Sequence, residues 1–364
     1  MSGALTGRKM ILFGAGGVGR TAFDFFGAEK VFCFADNYRS GQEFCGKSII
    51  SFEDLLAIHM EYDVVIAVGD YRTKQLLEQC RQNGVNCFLF GDVVSYLDYE
   101  SDPAIKQFQD KHKGKRCFLI GNGPSLSADD LSLLRTKGEI TFACNYIHKI
   151  FYQTMWRPDY YIVLDAYLPK LQTQMLADTE AKYKFISKTS VTDDDEVQKI
   201  KETLINGKGQ VLFYQPMFYC GRNEELVLSP DASRAVAASI TVLLVMINLA
   251  VYMGFSEIFL LGVDGVSVDK QLLTENGEVK WHFYNPNEVS DYSKSLAKMR
   301  PEYTEELIIA NMIAANNLYA RLNDHTRGFG VIIYNATRGG FSEGFERKDF
   351  DSLFSNREDG VINE

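Results

Sequence analysis

Short runs of consecutive apolar residues punctuate this chain, and most of them stop at a glycine, an asparagine or an aspartate before a stretch with helical spacing. Met10–Phe13, Val31–Ala35, Asp63–Val68 and Asn86–Phe90 are runs of this kind in the N-terminal part. A strand covered on both faces needs an unbroken apolar run, and alternation with helices marks a parallel α/β sheet. The pattern returns on a larger scale at Arg116–Ile120, Ile140–Cys144, Tyr160–Leu164, Lys184–Ser187, Val211–Tyr214, Glu257–Leu261 and Gly330–Tyr334. Tyr71–Asn83 and Ser233–Tyr252 read as helices, the second apolar all round, and Tyr303–Leu322 as a long amphipathic one. Residues 99–115 are polar and charged and read as a linker. The expectation is two Rossmann-like α/β domains in tandem: a small one over 1–98, a larger one with a mostly parallel sheet over 116–352, and a tail over 353–364.

Two of the runs lead into glycine-rich loops, and the loops differ. Met10–Phe13 leads into Gly14-Ala15-Gly16-Gly17-Val18-Gly19, which fits G-x-G-x-x-G through Gly14, Gly16 and Gly19. Asp36 ends the next strand, where an acidic side chain can take a ribose hydroxyl. This context leaves two alternatives, a nucleotide site (NAD included) or a Rossmann unit with an empty pocket. Cys117–Ile120 leads into Gly121-Asn122-Gly123-Pro124-Ser125. There the glycines turn backbone N–H groups toward a ligand, Asn122 supplies a two-sided amide, and Ser125 caps the next helix. Four further strands end in Asn145, Asp165, Asp264 and Asn335. One such residue is usually a helix cap. Five strand ends of this kind on one edge of a parallel sheet point to a ligand site.

Composition narrows the class. The chain has 364 residues, 46% hydrophobic and 24% charged, with a net charge of −10. That is a globular composition, and the negative balance argues against a nucleic-acid partner. The seven cysteines include no CxxC pair and read as thiols of a reducing compartment. The apolar stretch Ile240–Phe255 is broken by Asn248 and Gly254 and suits a buried helix better than a membrane span. A cytoplasmic location, with at most peripheral membrane association, is the expectation. Asp193-Asp194-Asp195-Glu196 reads as an acidic helix start, with a metal-binding DxD as the alternative. There is no HExxH, so no metal is expected.

Cys117–Leu126 with Phe142–Ile147 resembles the nucleotide-binding start of bacterial sialyltransferases and, more fully, the DUF115 group that includes the motility-associated (Maf) glycosyltransferases. Met253–Asp264 and Val331–Gly340 are similar to further stretches of that group. The N-terminal stretch, through Asp36-Asn37 and Gly46–Ile50, resembles the small nucleotide-sugar-binding domain of PglD-type acyltransferases. These resemblances imply a GT-A-like, sialyltransferase-type larger domain. They imply a metal-independent, inverting transferase of surface-glycan or flagellin glycosylation, moving a nonulosonic sugar from a CMP donor to a glycan or protein acceptor, with no further cofactor. Carried over, Gly121, Asn122, Gly123, Ser125, Asn145, Asp165 and Asn335 face the donor nucleotide, and Asp264 lies beside it. The tyrosine pair that follows the aspartate in sialyltransferases is missing, since Gly265-Val266-Ser267-Val268 stands there. Their His-Ser catalytic context is missing as well.

Among five histidines, His282 sits in a loop-like Trp281-His282-Phe283-Tyr284 segment and is the candidate base, with Asp264 or Glu302 next; Tyr284 is the candidate aid to the leaving phosphate. Two other readings stand beside this one. The DUF115 core is shared with a pterin diphosphokinase using ATP and Mg²⁺, and a non-catalytic nucleotide-sugar-binding protein would use the same loops. Homo-oligomer formation is compatible with all three.

Overall fold

The computed structural model describes residues 5–165, 167–188, 195–218, 228–239, 241–265, 282–285, 290–299, 305–340 and 344–355. It is a mixed α/β protein with two main sheets, both largely parallel. In the first, β1 (Met10–Phe13), β2 (Val31–Ala35), β3 (Glu43–Phe44), β4 (Lys47–Ile50), β5 (Asp63–Ile66) and β6 (Cys87–Leu89) lie in the order β3-β4-β2-β1-β5-β6. Only the short β3–β4 pair is antiparallel. In the second, β7 (Arg116–Ile120), β8 (Ile140–Cys144), β9 (Tyr160–Val163), β10 (Tyr183–Ser187), β11 (Gln210–Tyr214), β14 (Glu257–Leu261), β15 (Ile332–Asn335) and β16 (Glu346–Arg347) take the order β11-β10-β9-β8-β7-β14-β15-β16. A separate parallel pair joins β12 (Pro216–Phe218) to β13 (Val236–Ala238).

These orders decide where a ligand can sit. From β7 the chain winds outward through β8, β9, β10 and β11, while β14, β15 and β16 continue on the other side. The winding therefore reverses between β7 and β14. In the first sheet it reverses between β1 and β5. A crevice opens at such a reversal, outside the carboxyl ends of the strands. Both glycine loops lie there: Gly14–Gly19 follows β1 and Gly121–Ser125 follows β7.

Burial follows the apolar runs. β1, β5 and β9 are buried at every position, and β7, β8, β10 and β14 at all but their first. The second sheet carries one core on each face. One holds the helix Val242–Tyr252, buried at all but Val242 and Val251. The other holds Tyr146, Trp156, Tyr161 and Tyr284. The long helix is observed at Glu305–Gly328. The expected helix Ser233–Tyr252 is shorter than read: Val236–Ala238 is strand, and the helix begins only after Thr241, whose hydroxyl caps Leu243 N–H. Asn248 explains the break. Fully buried in that helix, it accepts from the N–H groups of Ser229 and Ala237 and donates to Ser229 O, which holds the preceding chain extended.

The charged segment 99–115 is not free of the domains. Ile105 and Phe108 enter the larger core, and the N–H groups of Asp110, His112 and Gly114 donate to the carbonyls of Tyr252, Met253 and Gly254. Tyr99 packs the other way, its ring 5.5 Å from that of Phe25. Six cysteines are free thiols, four of them buried, and Cys220 lies outside the described residues. Among the described residues no helix is long and apolar enough to cross a membrane. Asp195 opens a helix to Ile205; Asp193 and Asp194 lie outside the described residues, as do Trp281 and Glu302.

Every strand of the first sheet lies between residues 10 and 89. A fragment comprising residues 1–100, which keeps Tyr99, is therefore expected to fold alone. Far-ultraviolet circular dichroism with a cooperative melt checks this, and an unfolded fragment beside a folded full chain would contradict it.

Candidate functional site

The loop after β7 and the loop after β14 are laced together. Gly121 N–H donates to Leu261 O and Gly123 N–H to Gly262 O, both at 2.8 Å. The approach leaves no room for side chains: a Cβ on Gly121 would lie 2.4 Å from Gly262 O, and one on Gly123 only 1.9 Å from Asp264 Oδ2. Glycine is thus demanded here by loop-to-loop packing. The sequence reading turned these N–H groups toward a ligand. Those of Gly121 and Gly123 are committed within the protein instead.

Asp264 is the pin of this arrangement. It is 4% exposed, and its Oδ2 accepts from Ser125 Oγ at 2.9 Å and Ser125 N–H at 3.3 Å. Ser125 does not cap the next helix, as expected from the sequence. Ser127 does, accepting from Asp130 N–H before the helix Ala128–Thr136. The loop after β15 closes against Asp264 from behind, where a Cβ on Gly340 would lie 2.7 Å from Asp264 Cα. Asn335 serves that loop: it is 1% exposed, and its Oδ1 accepts from Thr337 N–H. Thr337 Oγ1 accepts from Val263 N–H at 3.1 Å. Arg338 forks onto Asp130 and reaches Asp351, tying the β15 loop to the helix that follows the glycine loop. The tie keeps its guanidinium firmly charged and holds the Asp351 carboxyl below its ordinary value.

On the other side of β7, Asn122 bridges toward β8. Its Nδ2 donates to Cys144 O at 3.1 Å, and its backbone carbonyl accepts from Phe283 N–H at 3.0 Å. Its Oδ1 is buried and has no partner among the described residues; the same holds for Asn145 Oδ1 at the end of β8. Asn145 has φ of 47°, a left-handed conformation that asparagine tolerates better than most residues. Tyr161 donates its hydroxyl to Asn145 O and so fixes this turn. Buried amide oxygens left without a donor are uncommon in folded proteins and mark places where a ligand or water completes the hydrogen bonding.

His282 and Tyr284 cover the same place. Their rings stack with centroids 4.8 Å apart, and Tyr284 lies 5.8 Å from Tyr146. Burial pushes the His282 imidazole below its usual pKa, against an opposing hydrogen bond to the Asn122 backbone. It is therefore neutral at neutral pH. His148, 5.9 Å from Tyr146, is pushed down to about 4, mainly by burial. Burial raises the Tyr146 hydroxyl as well, with the nearby Asp165 adding to it. Asp165 itself accepts from the N–H groups of Tyr167 and Leu168, which starts the short helix after β9. The residues read from the sequence therefore divide into two groups. Asn122, Asn145, His282 and Tyr284 gather over the ends of β7 and β8. Ser125, Asp264 and Asn335 lie on the β14–β15 side and hold the loops. Tyr146, His148 and Tyr161 join the first group; in the sequence they look like ordinary core aromatics and a turn histidine.

The N-terminal loop is built differently. A Cβ on Gly14 would meet Ala67 O at 2.5 Å and one on Gly19 would meet Gly14 O at 1.9 Å, whereas Gly16 faces open space. Asp36 is 7% exposed, and its carboxylate accepts from Ala15 N–H at 3.0 Å and Tyr38 N–H at 2.9 Å. The carboxylate read as a ribose ligand thus braces the loop in this structure. Arg39 donates to Ala15 O beside it. Among the described residues no three His, Cys, Asp or Glu side chains group to hold a metal ion.

Residues 94–268 match the model of the 6-hydroxymethylpterin diphosphokinase MptE-like family. This is the DUF115-related group that the sequence motifs resemble. The match begins ahead of β7 and so takes in the segment that docks into the larger core. No curated protein matches the chain. Among solved structures, the Maf glycosyltransferase from Magnetospirillum magneticum AMB-1 is similar at 12% identity and a TM-score of 0.38, over 95% of this chain and 58% of that one. A likeness at that level carries no weight for the chemistry of the site.

The glycine geometry has a direct consequence. Gly123→Ala drives a methyl into Asp264 and is expected to destabilise the protein by about 1–3 kcal/mol or more, whereas Gly16→Ala, in open space, stays within about 0.5 kcal/mol of the parent. Urea melts of the two variants check this. Equal losses would contradict the assignment of Gly123 to loop packing.

Proposed function

We propose that this protein is a glycosyltransferase whose activated donor binds at the crevice between β7 and β14, with its reacting end over the end of β8. The observation that carries this reading is the convergence, at the winding reversal of the larger sheet, of Asn122, Asn145, His282 and Tyr284 around two buried amide oxygens without donors. The donor class is a CMP-activated nonulosonic sugar, which rests on the sialyltransferase-like motifs of the sequence. Asn122 and Asn145 accept hydrogen bonds from the donor. His282, neutral because it is buried, removes the proton from the acceptor hydroxyl. Tyr284, held face to face with His282, offers its hydroxyl to the departing phosphate and takes the place of the missing tyrosine pair. Inversion follows from a single in-line displacement, and no metal enters it. Asp264 and Ser125 act one step back, by holding the loops.

The family match supports a second reading, a diphosphokinase acting on a pterin-like alcohol with ATP and Mg²⁺. That chemistry needs carboxylates directed at a metal. Asp165 instead caps backbone N–H groups and Asp264 holds Ser125, which favours the transferase.

Thermal shift separates the two readings. CMP is expected to raise the melting temperature more than ATP with Mg²⁺, because a ligand that binds the native state stabilises it by mass action. A larger shift with ATP and Mg²⁺ would turn the assignment to the kinase. Asn122→Ala is expected to weaken CMP binding with the fold intact. His282→Ala is expected to leave CMP affinity nearly unchanged while transfer falls about 10²–10⁴-fold. The parent rate is expected to decline only on the acid side of the ordinary histidine range, since burial lowers the His282 pKa, and the His282→Ala variant should lose that limb. Full turnover by His282→Ala would remove it as the base.

A further inference from the structure

The edge of the larger sheet opposite the candidate site has a character of its own. β7, β8, β9 and β10 are adjacent and parallel, so the residues that precede them share one edge. Lys111, Lys113 and Lys115 lead into β7, Arg135 and Lys137 into β8, and Lys182 into β10; all six are exposed. A chain with net charge −10 has thus gathered cations along four neighbouring strand starts. The carboxylates of the same edge are mostly neutralised locally. Glu139 pairs with Arg116, Glu180 pairs with Arg157 and Lys208, and Asp159 is partly buried, accepting from Thr141 N–H; Asp110 is exposed among the lysines. Among the described residues none of Lys113, Lys115, Arg135, Lys137 or Lys182 is in a salt bridge. The positive field is felt inside the protein: after burial, Lys115, Lys111 and Lys182 are what lower the His112 pKa, to about 4.

Before β9, the turn 151–155 lies beside Arg135 and Thr136, at the end of the helix that leads into β8. Tyr152 is 85% exposed and Met155 73% exposed. The turn is firmly seated, because Thr154 Oγ1 bonds Ser132 Oγ, Trp156 is buried, and Arg157 lies 4.1 Å over the Phe151 ring. A rigid turn that presents a tyrosine and a methionine to solvent beside Arg135, at an edge that also carries Lys111, Lys113, Lys115, Lys137 and Lys182, joins two attractions, apolar insertion and a cationic field. Either one alone gives weak attachment to a lipid surface, and two together give a stable one.

We propose that this edge docks the protein on an anionic lipid surface, with Tyr152 and Met155 entering the headgroup layer and Lys111, Lys113, Lys115, Arg135, Lys137 and Lys182 facing the lipid phosphates. The candidate site, at the other end of the strands, then faces the aqueous side. This goes beyond the proposed function and does not rest on it. Nucleic acid would satisfy the charges but gives Tyr152 and Met155 together no apolar layer to enter, so lipid is favoured.

The test is flotation of the full chain with phosphatidylcholine vesicles, with and without phosphatidylglycerol, at low and high salt. Binding to the anionic vesicles alone, reversed by salt, is expected. The triple variant Lys113→Glu, Lys115→Glu, Lys182→Glu should weaken it about a hundred-fold, at roughly five-fold or more per charge. The pair Tyr152→Ser, Met155→Ser should weaken it further at fixed salt while the melting temperature stays at the parent value. No flotation with anionic vesicles overturns the proposal, and so does flotation indifferent to both sets of variants. A single-stranded RNA that competes the chain off the vesicles and binds it more tightly through the same lysines also overturns it, in favour of a nucleic-acid surface.

Discussion

The candidate site depends on the contact between two loops at the winding reversal of the larger sheet. Gly121 and Gly123 after β7 donate to Leu261 and Gly262 after β14, and Asp264 closes the contact through Ser125. A buried carboxylate is costly unless it is well bonded, and one oxygen of Asp264 accepts from both the hydroxyl and the N–H of Ser125. The β15 loop is then laid against Asp264 through Gly340 and tied down by Thr337, Arg338 and Arg347. Three strand ends become one rigid rim. That is the condition a transferase site must meet, because a site loose by an ångström loses most of its rate advantage.

With the rim fixed from within, the proposed site rests on side chains that the rim presents. Asn122 is anchored at one end by Cys144 O and leaves its amide oxygen turned away from that bond. Asn145 is held in a left-handed turn by the Tyr161 hydroxyl. His282 and Tyr284 roof the place as a stacked pair, and burial keeps the imidazole neutral. The same logic makes the N-terminal loop a different object. Its Asp36 braces Ala15 and Tyr38, and of its three fingerprint glycines only Gly16 looks into open space.

Much of the fold was legible in the sequence because parallel strands buried on both faces leave unbroken apolar runs. β7, β8 and β14 fall where those runs do. The helix expected over Ser233–Tyr252 was overextended because Ala235–Ala238 continues the apolar run, and the bond from Ala237 N–H to the Asn248 amide that holds it extended leaves no trace in the apolar pattern. The segment 99–115 reads as a linker by charge, yet Ile105 and Phe108 carry it into the core. At the candidate site, the strand-end pattern was legible and the partner of each residue was not. The strand-end Asn and Asp residues do lie along one edge of the sheet, but only the structure separates Asn122 and Asn145 from Asp264 and Asn335, which hold neighbouring chain. Tyr146 and Tyr161 leave no sequence signal because a tyrosine at a strand end and one inside an apolar run look the same as packing residues.

Hydrogen–deuterium exchange with and without CMP tests the central claim most directly, since it reads where along the backbone a nucleotide acts. Protection on adding CMP is expected in peptides spanning 121–126, 144–148 and 282–285, with little change over 14–20. Protection confined to 14–20, with the larger sheet unchanged, would contradict the assignment of the donor site to the β7–β14 crevice.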